Sequence, residues 1–148
     1  MQLKITTDYA IRTILFLTLR KAEVVSTGEI SQTMGIPRKY LIYIGSILKQ
    51  ARLIDTHSGK HGGYSLAKAP EKITLFEIVN LMEDTTKINR CLEEDEYCSR
   101  FATKDCPVRK CYTVMQKVWE RFLKGLTVTD ILSDMTEEEI ETYIACPC

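Results

Sequence analysis

Three features of the 148-residue sequence predict a mainly α-helical protein with one small β-hairpin. They are two helical segments hinged on Gly35, a glycine-rich hairpin directly behind them, and a long amphipathic helix late in the chain. The composition, 45% hydrophobic and 27% charged, is that of an ordinary globular protein. No apolar run approaches bilayer length, and residues Met1 to Thr6 lack the pattern of an export signal. A cytoplasmic protein without membrane attachment is therefore expected.

Residues 7 to 20 suit a largely enclosed helix, because Ala10, Ile11, Ile14, Leu15, Leu17 and Thr18 cover most of its circumference. Thr7 or Asp8 is the expected cap. Ser26-Thr27-Gly28-Glu29 has the spacing of a capping box, and the short helix it opens should stop at Gly35. Pro37 then starts a helix to about Gln50. Leu41, Ile44 and Leu48 form its buried stripe, leaving Arg38, Lys39, Tyr40, Tyr43, Ser46 and Lys49 on other faces. Two strand-like runs between Leu53 and Leu66 flank a loop rich in glycine, with Lys60 and His61 at its tip. Helix, tight turn, helix and hairpin in this order make a winged helix-turn-helix.

Thr74-Leu75-Phe76-Glu77 is a second capping-box spacing and opens a helix to about Met82. Periodicity is lost from 83 to 105. It returns at Val108, Cys111, Tyr112, Met115, Val118, Trp119, Phe122 and Leu123, a strongly amphipathic helix of about four turns. That stripe serves either a second copy of the chain or packing within one chain, with Trp119 and Phe122 expected to supply large buried area. Thr127 and Thr136 are expected to open two last short helices. The chain thus divides into 1–82, 83–105 and 106–148.

The net charge of zero hides an asymmetry. Residues 1–70 hold ten Lys and Arg against four acids, and residues 71–148 hold ten against sixteen, so the halves carry +6 and −6. A basic half with a winged helix points to a polyanion partner, double-stranded DNA. Arg38, Lys39, Tyr40, Tyr43, Lys49, Lys60 and His61 are the candidate contacts, because cations and flat polar groups serve base edges and phosphates.

All six cysteines lie in the second half: Cys91, Cys98, Cys106, Cys111, Cys146 and Cys148. Without an export signal they read as metal ligands or redox groups rather than a disulfide framework. The gaps among the first four are six, seven and four residues; Cys106 and Cys111 come near the paired knuckle of structural zinc but Cys91 and Cys98 do not, and the wide spacing suits an iron–sulfur cluster held by three thiolates. A zinc site at Cys91, Cys98, Cys106 and Cys111 remains an alternative, as does a metal-free thiol switch. A protein-interaction module is a further one. No enzyme is expected, since both histidines lie in the wing and no phosphate-binding glycine loop is present.

Together these features resemble the winged-helix bacterial regulators that include IscR, NsrR, RirA and CymR, over Met1 to about Ser133. The motifs are the opening around Tyr9-Ala10-Ile11-Arg12, Gly35-Ile36-Pro37-x-x-Tyr40-Leu41, Gly62-Gly63-Tyr64-Ser65-Leu66 and Ile73-Thr74-Leu75-Phe76-Glu77-Ile78-Val79. The spacing of Cys91, Cys98 and Cys106 before the long helix is similar to the cluster-binding branch. The resemblance implies a homodimer joined through that helix, a palindromic operator, and a [2Fe-2S] or [4Fe-4S] cluster on the three cysteines. Many relatives carry Arg where Ser58 stands here, and the IscR-like branch has a histidine ligand where this chain has Arg109. For the remaining ligand, the resemblance favours Asp8, matching an acidic residue that NsrR-like relatives place near the partner's cluster; Cys111 is the other candidate. It further implies a transcriptional regulator, a repressor, that senses iron, redox state or nitric oxide.

Overall fold

The computed structural model describes residues 2–21, 23–101 and 104–145. Helix α1 spans Ile5–Leu19 and begins earlier than expected, so neither Thr7 nor Asp8 is its cap. The reason is a cap supplied from far along the chain. The Glu83 carboxylate accepts from the Lys4 amide at 2.8 Å and from the buried Thr7 hydroxyl at 2.5 Å. A carboxylate there satisfies end amides and complements the helix dipole as a local cap would.

Helices α2 (Thr27–Thr33) and α3 (Arg38–Gln50) follow, with Gly35 at φ +63° in the turn and Pro37 as the cap of α3 rather than its first residue. Ser26 caps α2 by accepting from the Glu29 amide, but the box is only half formed, because the Glu29 carboxylate is drawn to Arg20. The turn is fixed by Ile36 N–H donating to Ser31 O and the Ser31 hydroxyl donating to Ile36 O. Strands β1 (Ile54–His57) and β2 (Gly63–Leu66) pair antiparallel from Ile54↔Leu66 to His57↔Gly63, as the two strand-like runs around the glycine loop predict. Val25 adds a bridge to Tyr64 on the other edge of β2.

Helix α4 (Leu75–Met82) is capped by Thr74, and its Glu77 pairs with Lys68 instead of closing a box. After an irregular stretch containing one short 3-10 turn at Arg90–Leu92 come α5 (Pro107–Gly125), α6 (Val128–Ser133) and α7 (Glu137–Ala145). Thr127 and Asp130 do form a complete capping box, and Thr136 and Glu139 exchange the same pair of bonds.

The core centres on α1. Ala10, Ile14, Phe16 and Leu17 meet Leu41, Ile44 and Leu48 of α3, Ile78 and Met82 of α4, and Val128 of α6. Each fully buried aliphatic side chain contributes about 1.5–3 kcal/mol. Helix α3 is thereby packed on the helix that also bears Asp8. Among the described residues no helix is long and apolar enough to cross a membrane.

Candidate functional site

Helix α3 contains no carboxylate, and one face of it is open to solvent. Lys39, Ile42, Tyr43, Ser46 and Lys49 run along that face, with Arg38 and Tyr40 at the N-terminal end. Ile42, 59% exposed, lies beside Tyr43 on this line and was not among the residues the sequence reading singled out. Among the described residues no carboxylate pairs with Arg38, Lys39, Lys49 or Lys60, so this surface keeps its full positive charge.

The wing is locked to the same helix. Tyr64 of β2 lies against Gly45 of α3 so closely that an added Cβ would sit 2.3 Å from the phenolic oxygen. Burial pushes the Tyr64 phenol above its ordinary pKa. His57 and Ser65 close the strand pair through a 2.8 Å bond, leaving Lys60 and His61 exposed at the tip. Recognition helix and wing are therefore presented as one unit, which suits simultaneous contact with a groove and its flanking phosphates.

Asp8 pairs with Arg12 at 2.7 Å one turn along α1. Arg12 also donates to Met34 O, in the helix-turn-helix turn, at 3.3 Å, and it overlies the Tyr9 ring. Tyr9 meets Tyr40 edge to face with centroids 6.0 Å apart. Asp8 is thus connected by side-chain contacts to both ends of the turn that positions α3.

Cys91, Cys98 and Cys106 line one cavity of about 370 Å³. Cys91 sits in the 3-10 turn with its amide held by the Asn89 side chain, and Cys106 is the residue capping α5. All three are half-buried. Arg90, Arg100 and Arg109 share the wall. Among the described residues no three His, Cys, Asp or Glu groups are close enough to hold one metal ion. Cysteine thiolates are the soft donors that hold iron–sulfur clusters, and three cysteines line this one cavity. Neither Asp8 nor Cys111 lines it. Cys111 lies exposed on α5, and Cys146 and Cys148 fall outside the described residues.

Helix α5 has two functional faces. Its inner line, Arg109, Gln116 and Leu123 at seven-residue steps, holds the cysteine segment and α4. Gln116 is 6% exposed, accepts from Ile88 N–H at 2.9 Å and donates to Thr86 O at 3.0 Å. The sequence reading missed it; the signal was a polar residue on the seven-residue line of the less apolar face. The outer line, Val108, Cys111, Val114, Met115, Val118 and Phe122, is exposed, each apolar member by 52% or more. Phe122 is therefore not the buried anchor expected within one chain, although it stacks on Trp119.

The Rrf2 family profile, described as iron-dependent transcriptional regulator, matches residues 3–134. The chain belongs to the Rrf2 family. A protein of Aquifex aeolicus described as an HTH-type transcriptional regulator is 32% identical over 128 residues, covering 86% of this chain and 89% of that one. The HTH-type transcriptional regulator NsrR of Halalkalibacterium halodurans is 29% identical, with 97% of both chains covered. The structure of CymR, the global cysteine regulator of B. subtilis, superposes with a TM-score of 0.75 at 23% identity over 92% of this chain and 99% of that one. That likeness establishes the winged-helix fold. Rrf2 membership makes the chain a transcriptional regulator, and its relatives are named as regulators rather than enzymes.

Proposed function

We propose that this Rrf2-family regulator is a cytoplasmic homodimer, acting as a repressor on a palindromic operator, whose DNA affinity is set by an iron–sulfur cluster on Cys91, Cys98 and Cys106. The observation that supports it most is that Cys91, Cys98 and Cys106, separated in sequence, line a single cavity. When bound, a [2Fe-2S] or [4Fe-4S] group supplies an iron-, redox- and nitric-oxide-sensitive cross-link among those thiolates.

The chain's own residues do the rest. Arg38, Lys39, Tyr40 and Tyr43 enter the major groove, with Ile42 placed to meet a thymine methyl, while Lys49, Lys60 and His61 serve the backbone or minor groove. The outer face of α5 meets the same face of a second copy, because an apolar line of this length left in water favours self-association. In this division 1–82 reads DNA, 83–105 holds the cluster and 106–148 joins the subunits. The remaining ligand is Asp8 of the partner subunit, with Cys111 as the other candidate. An Asp8 drawn off Arg12 would release Arg12 from Met34 O and Tyr9, and so bias the turn before α3.

A mobility-shift titration on the chain's own promoter region, loaded against stripped protein, tests the reading. Allosteric couplings of about 1–3 kcal/mol correspond to affinity ratios of about five- to 150-fold. Equal affinities would remove the sensing role while leaving DNA binding intact.

A further inference from the structure

Arg109 occupies the third position of α5, three residues after Cys106. Its Nε donates to the carbonyl of Cys91 at 3.0 Å, and its Nη2 donates to the Glu96 carboxylate at 2.6 Å, two residues before Cys98. One guanidinium therefore touches the backbone of the first cysteine, a neighbour of the second and the helix started by the third. We propose that Arg109 is the positioning residue of the cysteine cavity, a two-armed clamp that holds the segment from Cys91 to Cys98 against α5 in the shape that accepts a cluster. This rests on the cluster reading for its purpose, but the clamp itself is a property of the cluster-free chain.

The physical case is one of order. Among its described residues the segment from 91 to 105 has only the 3-10 turn as regular structure, and none of them is fully buried. Few apolar contacts oppose its conformational entropy, so polar ties must do so. The planar fork of arginine offers two donors in a fixed relation, which lysine does not. Side chains that orient metal-ligating groups change metal affinity by about ten- to a hundredfold when removed. Arg90, also on the wall, turns to Glu93 and Asp95 within its own turn and spans nothing.

The test uses the full-length protein prepared without oxygen, as wild type, Arg109→Gln, Arg109→Lys and Glu96→Gln. Hydrogen exchange is measured on cluster-free protein at the amides of Leu92, Glu93 and Glu96, which are bonded to Asn89 O, Arg90 O and Glu93 O. Loss of visible absorbance is followed after addition of EDTA to protein reconstituted with iron and sulfide. Arg109→Gln and Arg109→Lys are expected to speed exchange at these amides, while exchange in the α1–α3 core stays at wild-type rates. Both should also shed the cluster about tenfold faster or more. Glu96→Gln, which loosens one arm only, should fall between and serves if the Arg109 variants fail to fold. Wild-type exchange in all three variants would overturn the clamp. Wild-type behaviour of Arg109→Lys alone would overturn the fork in favour of a simple charge. A wild-type protein that takes up no iron and sulfide would sink the cluster reading, and exchange would still decide the clamp.

Discussion

Glu83 shows how much a single side chain can decide. It caps α1 from 76 and 79 residues away and also starts the cysteine-bearing stretch, so the winged helix-turn-helix and that stretch share one carboxylate. Glu83→Ala should cost about 1–2 kcal/mol by removing a cap and orphaning the buried Thr7 hydroxyl. Urea unfolding checks the value, and a midpoint unchanged from wild type would contradict the cap. The misplacement of the α1 start follows from this: Thr7 and Asp8 are ordinary cap residues locally, and a cap so distant in sequence leaves no local trace. Lys39 and Lys60 were legible as exposed cations because their neighbours offer no partner. Lys49→Ala and Lys60→Ala should each reduce the slope of log binding against log salt by about one, as one phosphate contact is lost. An unchanged slope at Lys60 would place the wing tip off the DNA.

Among the elements, the winged helix-turn-helix was readable nearly to the residue. Ser26, Gly35, Pro37 and the glycine-rich turn of the hairpin all obey local rules. Two capping-box readings fell short because Arg20 and Lys68 compete for the carboxylates of Glu29 and Glu77, a tertiary effect. What no local pattern announced is the contact of Tyr64 with Gly45, which sets the angle between wing and α3. Gly45→Ala should destabilise the fold by about 1–3 kcal/mol through overpacking and weaken operator binding by displacing the wing. Thermal unfolding with a DNA titration checks both; wild-type binding would show the wing angle to be unimportant. At the last two helices, hydrogen bonds from Thr127 hold the Asp130 carboxyl below its ordinary pKa, and those from Thr136 do the same to Glu139. Depressed carboxyl pKa values contribute stability that is present above the usual carboxylate range. It is lost as pH falls through and below that range. Acidification should therefore release α6 and α7 before the α1–α3 core, as a pH series of hydrogen exchange would read.

For the whole molecule, three features stand out: a basic surface on α3 and the wing, a thiol cavity between the cysteine segment and the start of α5, and an apolar line along α5. The sequence alone left that line divided between one chain and two. A stripe of apolar residues has the same period whichever neighbour covers it, so only the fold could expose it. Val118→Asp should convert a dimer to monomers and abolish cooperative operator binding, as sedimentation velocity would report. A variant that remains dimeric would move the interface elsewhere. The three thiols of the cavity could be picked out in the sequence, but not the Arg109 tie across it or the Gln116 tie to residues 86 and 88, because both side chains gain meaning only when the segment folds back on α5.

The most direct measurement is iron, zinc and acid-labile sulfide analysis of the protein purified without oxygen, beside Cys91→Ser, Cys98→Ser and Cys106→Ser variants. The account predicts iron with matching sulfide and a visible absorption band, lost or sharply reduced in each variant. One zinc per chain without sulfide, or a colourless protein even after supply of iron and sulfide, would contradict it.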